Sequence, residues 1–206
     1  MTVQTLGQMM VGAPSRKRVR QAHDYYPTIE WEPTAALVDA EAAALTGLRI
    51  WEPACGAGDM ARELVARGVR LDWSTDLIDR GFGQGGIDFL TAPAPQGCDG
   101  IISNPPFNIA DRFIQRAIGD HRFTYVALLL KATYWNAGRR ISLHHRFPPT
   151  AYLPLGFRVD FTGEGQPPMD LFWCIWDARA AGTVRFQPLP KPARLPAAIA
   201  DLFDGP

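Results

Sequence analysis

Short apolar runs alternate with stretches of helical spacing along most of this chain. Residues 34–45 are rich in alanine and place Leu37, Val38 and Leu45 about one helical turn apart. Pro33 and Thr34 suit the start of that helix, and Gly47 suits its exit. Strands are then predicted at 48–51, 71–75, 87–90, 100–103 and 125–130, with helices at 60–67 and 109–118 between them. The run Val126-Ala127-Leu128-Leu129-Leu130 has no polar position, the pattern of a strand covered on both faces. Residues 171–176, Leu-Phe-Trp-Cys-Ile-Trp, predict a second central strand of the same kind. Strands alternating with helices imply an α/β domain with a doubly wound, mostly parallel sheet.

Three segments fall outside this rhythm. Residues 142–170 hold Pro148-Pro149, Pro167-Pro168, His144-His145 and several glycines, so they read as largely irregular. Beyond Phe186 the chain turns proline-rich, with a short closing helix expected at 197–203. Residues 1–23 carry Arg16-Lys17-Arg18-Val19-Arg20 without periodicity, which fits a solvated tail or a phosphate-contacting arm. The expectation is one domain over 1–206, with 1–23 a flexible basic arm and 136–168 an insertion-like substrate region.

Composition narrows the function classes. Lys plus Arg and Asp plus Glu both total 21, so no net field draws the chain to a polyanion, and attraction must come from local patches. No run approaches the ~18 apolar residues of a membrane span, and residues 1–12 lack the layout of a secretion signal. Cys55, Cys98 and Cys174 are scattered and odd in number, as buried thiols in a reducing cytoplasm would be. Neither they nor His144-His145 have metal-ligand spacing, so no metal is expected.

Two turns carry candidate chemistry. Glu52-Pro53-Ala54-Cys55-Gly56-Ala57-Gly58-Asp59 links the first strand to a helix, where ligands of open α/β sheets lie. A packing turn or a dinucleotide site would also use such glycines. The acids Glu52 and Asp59, however, oppose a pyrophosphate and suit a ligand bearing a sulfonium and an ammonium. Asp76, ending the second strand, is placed to grip ribose hydroxyls or to cap the next helix. Asp88-Phe89 is placed to meet an adenine ring, Phe89 serving equally as core.

The second turn, Asn104-Pro105-Pro106-Phe107, comes directly after the strand at 100–103. An adenine amino nitrogen shares its lone pair with the ring and is a poor nucleophile. The Asn104 side-chain oxygen and the Pro105 carbonyl can hold its two hydrogens and free that lone pair. The prolines restrict the backbone, fixing the acceptors beforehand. Phe107 offers a face for a planar base, worth ~1–3 kcal/mol. Direct in-line methyl transfer then needs neither a covalent intermediate nor a metal.

Together these residues resemble the amino-group DNA methyltransferases, especially the N6-adenine type with its small phage-encoded members. The resemblance covers residues 24 to about 135 and implies the seven-stranded, Rossmann-like class I methyltransferase fold, with S-adenosylmethionine as cofactor and S-adenosylhomocysteine as product. It makes Asn104, Pro105, Pro106 and Phe107 the catalytic motif, with Asn104 also beside the cofactor. Glu52, Pro53, Ala54, Cys55, Gly56 and Gly58 would be the methionine-binding motif, and Tyr26-Pro27-Thr28 the N-terminal cofactor motif. Asp76 would contact the ribose, and Asp88 and Phe89 the adenine.

Sequence-specific members carry a sizeable target-recognition region, whereas here only 136–168 and the N-terminus are available. Loose or very short sequence preference is therefore expected. Arg139, Arg140 and Arg146, with His144 and His145, are the candidate nucleic-acid contacts, or else solvated charges. The partner expected is DNA; the same tetrapeptide also serves methyltransferases of ribosomal RNA adenine and of a release-factor glutamine. A nicotinamide oxidoreductase or an inactive binding module would leave residues 104–107 without a task.

Overall fold

The computed structural model describes residues 31–159, 169–180 and 182–195. Its elements are α1 (Glu32–Leu45), β1 (Ile50–Glu52), α2 (Asp59–Ala66), β2 (Leu71–Ser74) and β3 (Gly100–Ser103). Then come α3 (Ala110–Ile114), a π turn (Gln115–Asp120) and β4 (Tyr125–Lys131). Two 3₁₀ turns (Tyr134–Asn136, Gly138–Arg140), α4 (Ile141–Arg146), β5 (Ala151–Pro154), β6 (Leu171–Asp177) and β7 (Arg185–Phe186) complete the order.

The most apolar run in the sequence lies at the centre of a sheet ordered β2-β1-β3-β4-β6-β5-β7. β6 is antiparallel to both neighbours, and every other pairing is parallel. Alternate residues of the two central strands feed two cores. Tyr125, Ala127 and Leu129 join Leu171, Trp173 and Ile175 beneath α1 and α2. Val126, Leu128 and Leu130 join Phe172, Cys174 and Trp176 beneath α3. Residues 126–130 are each 0% exposed, which is why they tolerate no polar position. Gly100 is required at the start of β3, because a Cβ there would strike the Tyr125 carbonyl of β4.

The parallel sheet, the helix positions and the strands at 71–75, 100–103, 125–130 and 171–176 agree with the sequence reading to within about two residues. The strand predicted at 87–90 is absent. The Leu90 N–H donates to Asp88 Oδ1 at 2.9 Å, and the Thr91 and Ala92 N–H groups donate to the Asp88 carbonyl, so the backbone is satisfied within a turn. β2 is left as the edge strand, half exposed, with Asp72 paired to Arg49 and Arg70.

The seventh strand is instead β7 at the opposite edge, where the sequence pattern predicts none. Residues 142–159 are also more ordered than expected, containing α4 and β5. Leu143 and Phe147 pack into the core beneath α3, and Tyr152 and Leu153 alternate between the two sheet faces. The helix at 109–118 is α only to Ile114 and continues as the π turn. The basic cluster at 16–20, Tyr26-Pro27-Thr28, residues 160–168 and the helix expected at 197–203 lie outside the described residues.

Candidate active site

β1, β2 and β3 run parallel, so the turns after them share one edge of the sheet. The turn after β1 places Gly56 at φ 57° and Gly58 at φ 90°, conformations that disfavour a side chain. At Gly58 a Cβ would also collide with the Phe82 ring. Asp76 braces this turn from the end of β2. Its Oδ2 accepts the Gly56 N–H at 2.8 Å, and its Oδ1 accepts the Ile78 N–H at 2.8 Å and Arg80 Nη1 at 3.1 Å. Asp76 therefore braces two turns and lines the cavity, and the helix it was expected to cap is absent, since none lies between β2 and β3.

The cavity between these turns measures about 260 Å³. Glu52, Pro53, Ala54, Cys55 and Gly56 line it from the turn after β1, with Asp76, Asp88 and Phe89 from the segment after β2. Asn104, Pro105 and Pro106 line it from the turn after β3. Gly58 is a hinge of the turn rather than a lining residue. Phe89 is 2% exposed, and its ring lies 5.2 Å from Trp51 and 4.6 Å from Phe113, so it is a core residue with one edge at the cavity.

Glu52 is the electrostatic anomaly. It is 2% exposed, and its Oε2 has no hydrogen-bond partner among the described residues. Burial, then the nearby carboxylates Asp76 and Asp59, push its pKa up to about 8 against a partial pull from Arg62. A buried carboxyl in this state lacks a cation. The Cys55 thiol is pushed up to about 12 by burial, then by Glu52 and Asp76, which makes it inert as a nucleophile. The donor set on this wall thus fits a ligand with a positive end.

On the facing wall Pro105 is buried, with Asn104 and Pro106 half-buried at the cavity. Phe107 turns inward. It is 7% exposed, and the Lys131 ammonium, at the end of β4, sits 4.5 Å above its ring. The structure thus brings together the glycine turn, Asp76, Asp88 and the proline turn, with Phe107 as an internal anchor.

The three candidate arginines part company. Arg139 is exposed. Arg140 is tied down, its Nη1 donating to the Tyr134 carbonyl at 2.6 Å and its guanidinium stacked 4.0 Å over the Tyr134 ring. Arg146 stacks 5.0 Å over Phe147, which packs against Gly119 in the π turn. It therefore lies beside the π turn beyond α3, six residues along the chain from the cavity-lining Phe113. His144 Nε2 shares a hydrogen bond of 2.5 Å with the Tyr152 hydroxyl, and no cluster among the described residues could hold a metal ion.

Several lining residues were not singled out from the sequence: Leu77, Ile78 and Ile87 below Asp76, and Asn108 and Ile109 after the proline turn. A signal existed for the first pair. Leu77 and Ile78 are apolar residues in a polar turn directly after a strand-ending acid, and Leu77 is 61% exposed.

No protein-family model matches the sequence, and no curated protein sequence does. Solved structures do resemble it. A class I S-adenosylmethionine-dependent methyltransferase, so assigned, from Listeria monocytogenes superposes with a TM-score of 0.57 at 12% identity, over 96% of this chain and 73% of that one. A protein assigned as an RNA methyltransferase from Pyrococcus horikoshii gives 0.54 at 13%, over 69% and 80%. A type I restriction-modification methyltransferase subunit from Streptococcus thermophilus gives 0.52 at 12%, over 78% and 47%. The fold is that of the class I methyltransferases. In that fold the 260 Å³ cavity sits where the parallel strands end. Among the described residues no helix is long and apolar enough to cross a membrane.

Proposed function

We propose that this chain is an S-adenosylmethionine-dependent methyltransferase that modifies the exocyclic N6 amino group of adenine in DNA, with low or very short sequence specificity. One observation carries the reading: the buried carboxyl of Glu52, whose Oε2 has no hydrogen-bond partner among the described residues, and the Asn104-Pro105 turn line a single cavity. S-adenosylmethionine supplies an electrophilic methyl group on a sulfonium, and its ammonium provides the cation that Glu52 lacks. Glu52 and the glycine turn would hold the methionine end, Asp76 the ribose, and Asp88 with Phe89 the adenine edge.

On the opposite wall Asn104 Oδ1 and the Pro105 carbonyl accept the two amino hydrogens of the target base. The nitrogen lone pair would then be free to attack the sulfonium methyl; the S–C bond would break as the N–C bond formed, S-adenosylhomocysteine would be the leaving group, and one amino proton would pass to water. The acceptors act through their position: held rigid by two prolines, they need no reorganisation as charge develops on nitrogen. Phe107 anchors the turn in the core, with Lys131 over its ring.

Neighbours named for RNA and for DNA substrates share this fold, so the substrate is decided by assay. Purified protein with methyl-labelled S-adenosylmethionine is offered adenine-containing DNA, RNA and a glutamine-containing peptide. Label in DNA that digests to N6-methyl-2′-deoxyadenosine is the expected result. Transfer to RNA alone or peptide alone refutes the DNA assignment.

A further inference from the structure

Residues 121–159 contain no aspartate or glutamate, yet they include Arg122, Lys131, Arg139, Arg140, Arg146 and Arg158. Elsewhere the arginines are largely neutralised: Arg49, Arg62, Arg67, Arg70, Arg80, Arg116, Arg179 and Arg185 each pair with a carboxylate, and Arg158 reaches Asp170. Arg139 and Arg146 have no ion pair among the described residues. In a chain of zero net charge, the segment between β4 and β5 is therefore a local positive field.

The segment is a rigid support. His144 holds the Tyr152 hydroxyl of β5, Trp176 Nε1 of β6 donates to the Phe147 carbonyl at 2.9 Å, and Leu143 and Phe147 are packed inward. The opposite face, Gly138, Ile141, Ser142 and His145, recurs at helical spacing and is exposed together with Arg139 and Arg146. This strip starts beside the catalytic turn: Lys131 covers Phe107, and Asp111, at the start of α3, lies close enough to Tyr134 to help hold its phenol above the usual range, behind the larger effect of burial. It then runs along α3 toward the π turn, where Phe147 meets Gly119.

We propose that this outward strip is the track for the phosphate backbone of the strand carrying the target adenine. Arg139 grips beside the catalytic turn, and Arg146 grips further along. From residue 138 to 146 the strip is roughly 12 Å long at 1.5 Å per residue, about three to four nucleotide steps at an axial rise of 3.4 Å. Arg140 has no part in the grip, because its guanidinium is spent on Tyr134. The inference rests on the reading of the chain as a nucleic-acid methyltransferase and adds the surface on which the strand lies.

The test is the salt dependence of binding of a fluorescent adenine-containing oligodeoxynucleotide to the full chain and to Arg139→Gln, Arg146→Gln and the double variant. Each substitution should flatten the slope of log K against log salt by about 0.7–0.9, the share of one phosphate contact. Arg70→Gln, which removes an exposed charge at the β2 edge, should leave the slope unchanged. A double variant that keeps the parent's slope and thermal unfolding curve overturns the track. Displacement of the oligonucleotide by polyglutamate as readily as by unlabelled DNA overturns nucleic acid as the occupant. If the parent chain binds S-adenosylhomocysteine by calorimetry but no oligonucleotide, the functional reading itself fails, a result distinct from an unchanged slope.

Discussion

The two walls of the cavity solve opposite problems. The wall from β1 and β2 is rich in carboxylates, with Glu52, Asp59, Asp76 and Asp88 around one ligand-sized space. The wall from β3 has none; the residues it brings to the cavity are the neutral Asn104, Pro105, Pro106, Asn108 and Ile109. A charged wall selects by the sign of what enters, and it carries the cost of its own desolvation while empty. A neutral wall of fixed acceptors adds little ground-state attraction, and its effect grows as a nitrogen gains positive charge. On the proposed function, binding and chemistry would be divided between the walls, so each could be damaged separately.

The sharpest way to test that division is Asn104→Ala. It should lower kcat by about 100- to 1,000-fold, as loss of one preorganised transition-state partner does, with S-adenosylhomocysteine affinity held within about twofold by calorimetry. An equal loss in both quantities would merge the two walls into one function.

Gly58→Ala attacks the charged wall through its backbone. The new methyl meets the Phe82 ring, and the residue must keep φ at 90°. A destabilisation of ~2–3 kcal/mol is expected in denaturant unfolding, with weaker cofactor binding as the turn shifts. A variant as stable as the parent would show that Phe82 yields freely.

Glu52→Gln is the subtler probe, since at neutral pH the parent carboxyl is largely protonated and part of its attraction for a cation is consumed in losing that proton. The loss of S-adenosylhomocysteine affinity should be about tenfold at pH 8 and smaller at pH 6, and the parent's affinity should rise with pH up to about 8. The ligand-free protein should behave in the opposite sense. The folded-state pKa is raised from 4.5 to about 8, so the folded chain binds the extra proton in that window. Stability is then fullest below pH 4.5 as far as this group is concerned, and it falls by ~1.4 kcal/mol per pH unit as pH rises toward 8. In Glu52→Gln that component of the slope, read from urea midpoints across pH, should vanish. Its persistence would assign the slope to another group.

Much of this was legible along the chain because it is local. Five apolar residues in a row at 126–130 have the pattern of a strand buried on both faces, which they form, and the glycine and proline turns carry their chemistry within a few adjacent positions. The strand expected at 87–90 shows where local pattern fails. Its apolarity belongs to Phe89 filling the core beside Trp51, while Asp88 closes the backbone into a turn. Short apolar runs satisfy a buried turn as well as a strand, and only the neighbours decide.

The three arginines make the same point for the site: their side chains look alike in sequence, but a ring at 4.0 Å commits Arg140, and the packing of Phe147 against Gly119 carries Arg146 away from the cavity. By itself, then, the sequence determined the alternation of strands and helices, the identity of the two turns and the sign of the charges each carries. Tertiary structure alone decided that Glu52 would be buried with its Oε2 unpartnered among the described residues, that Asp76 would brace the glycine turn, and that Phe107 would face inward. Burial and partner choice arise from residues far apart in the chain, and no local pattern records which of them will meet.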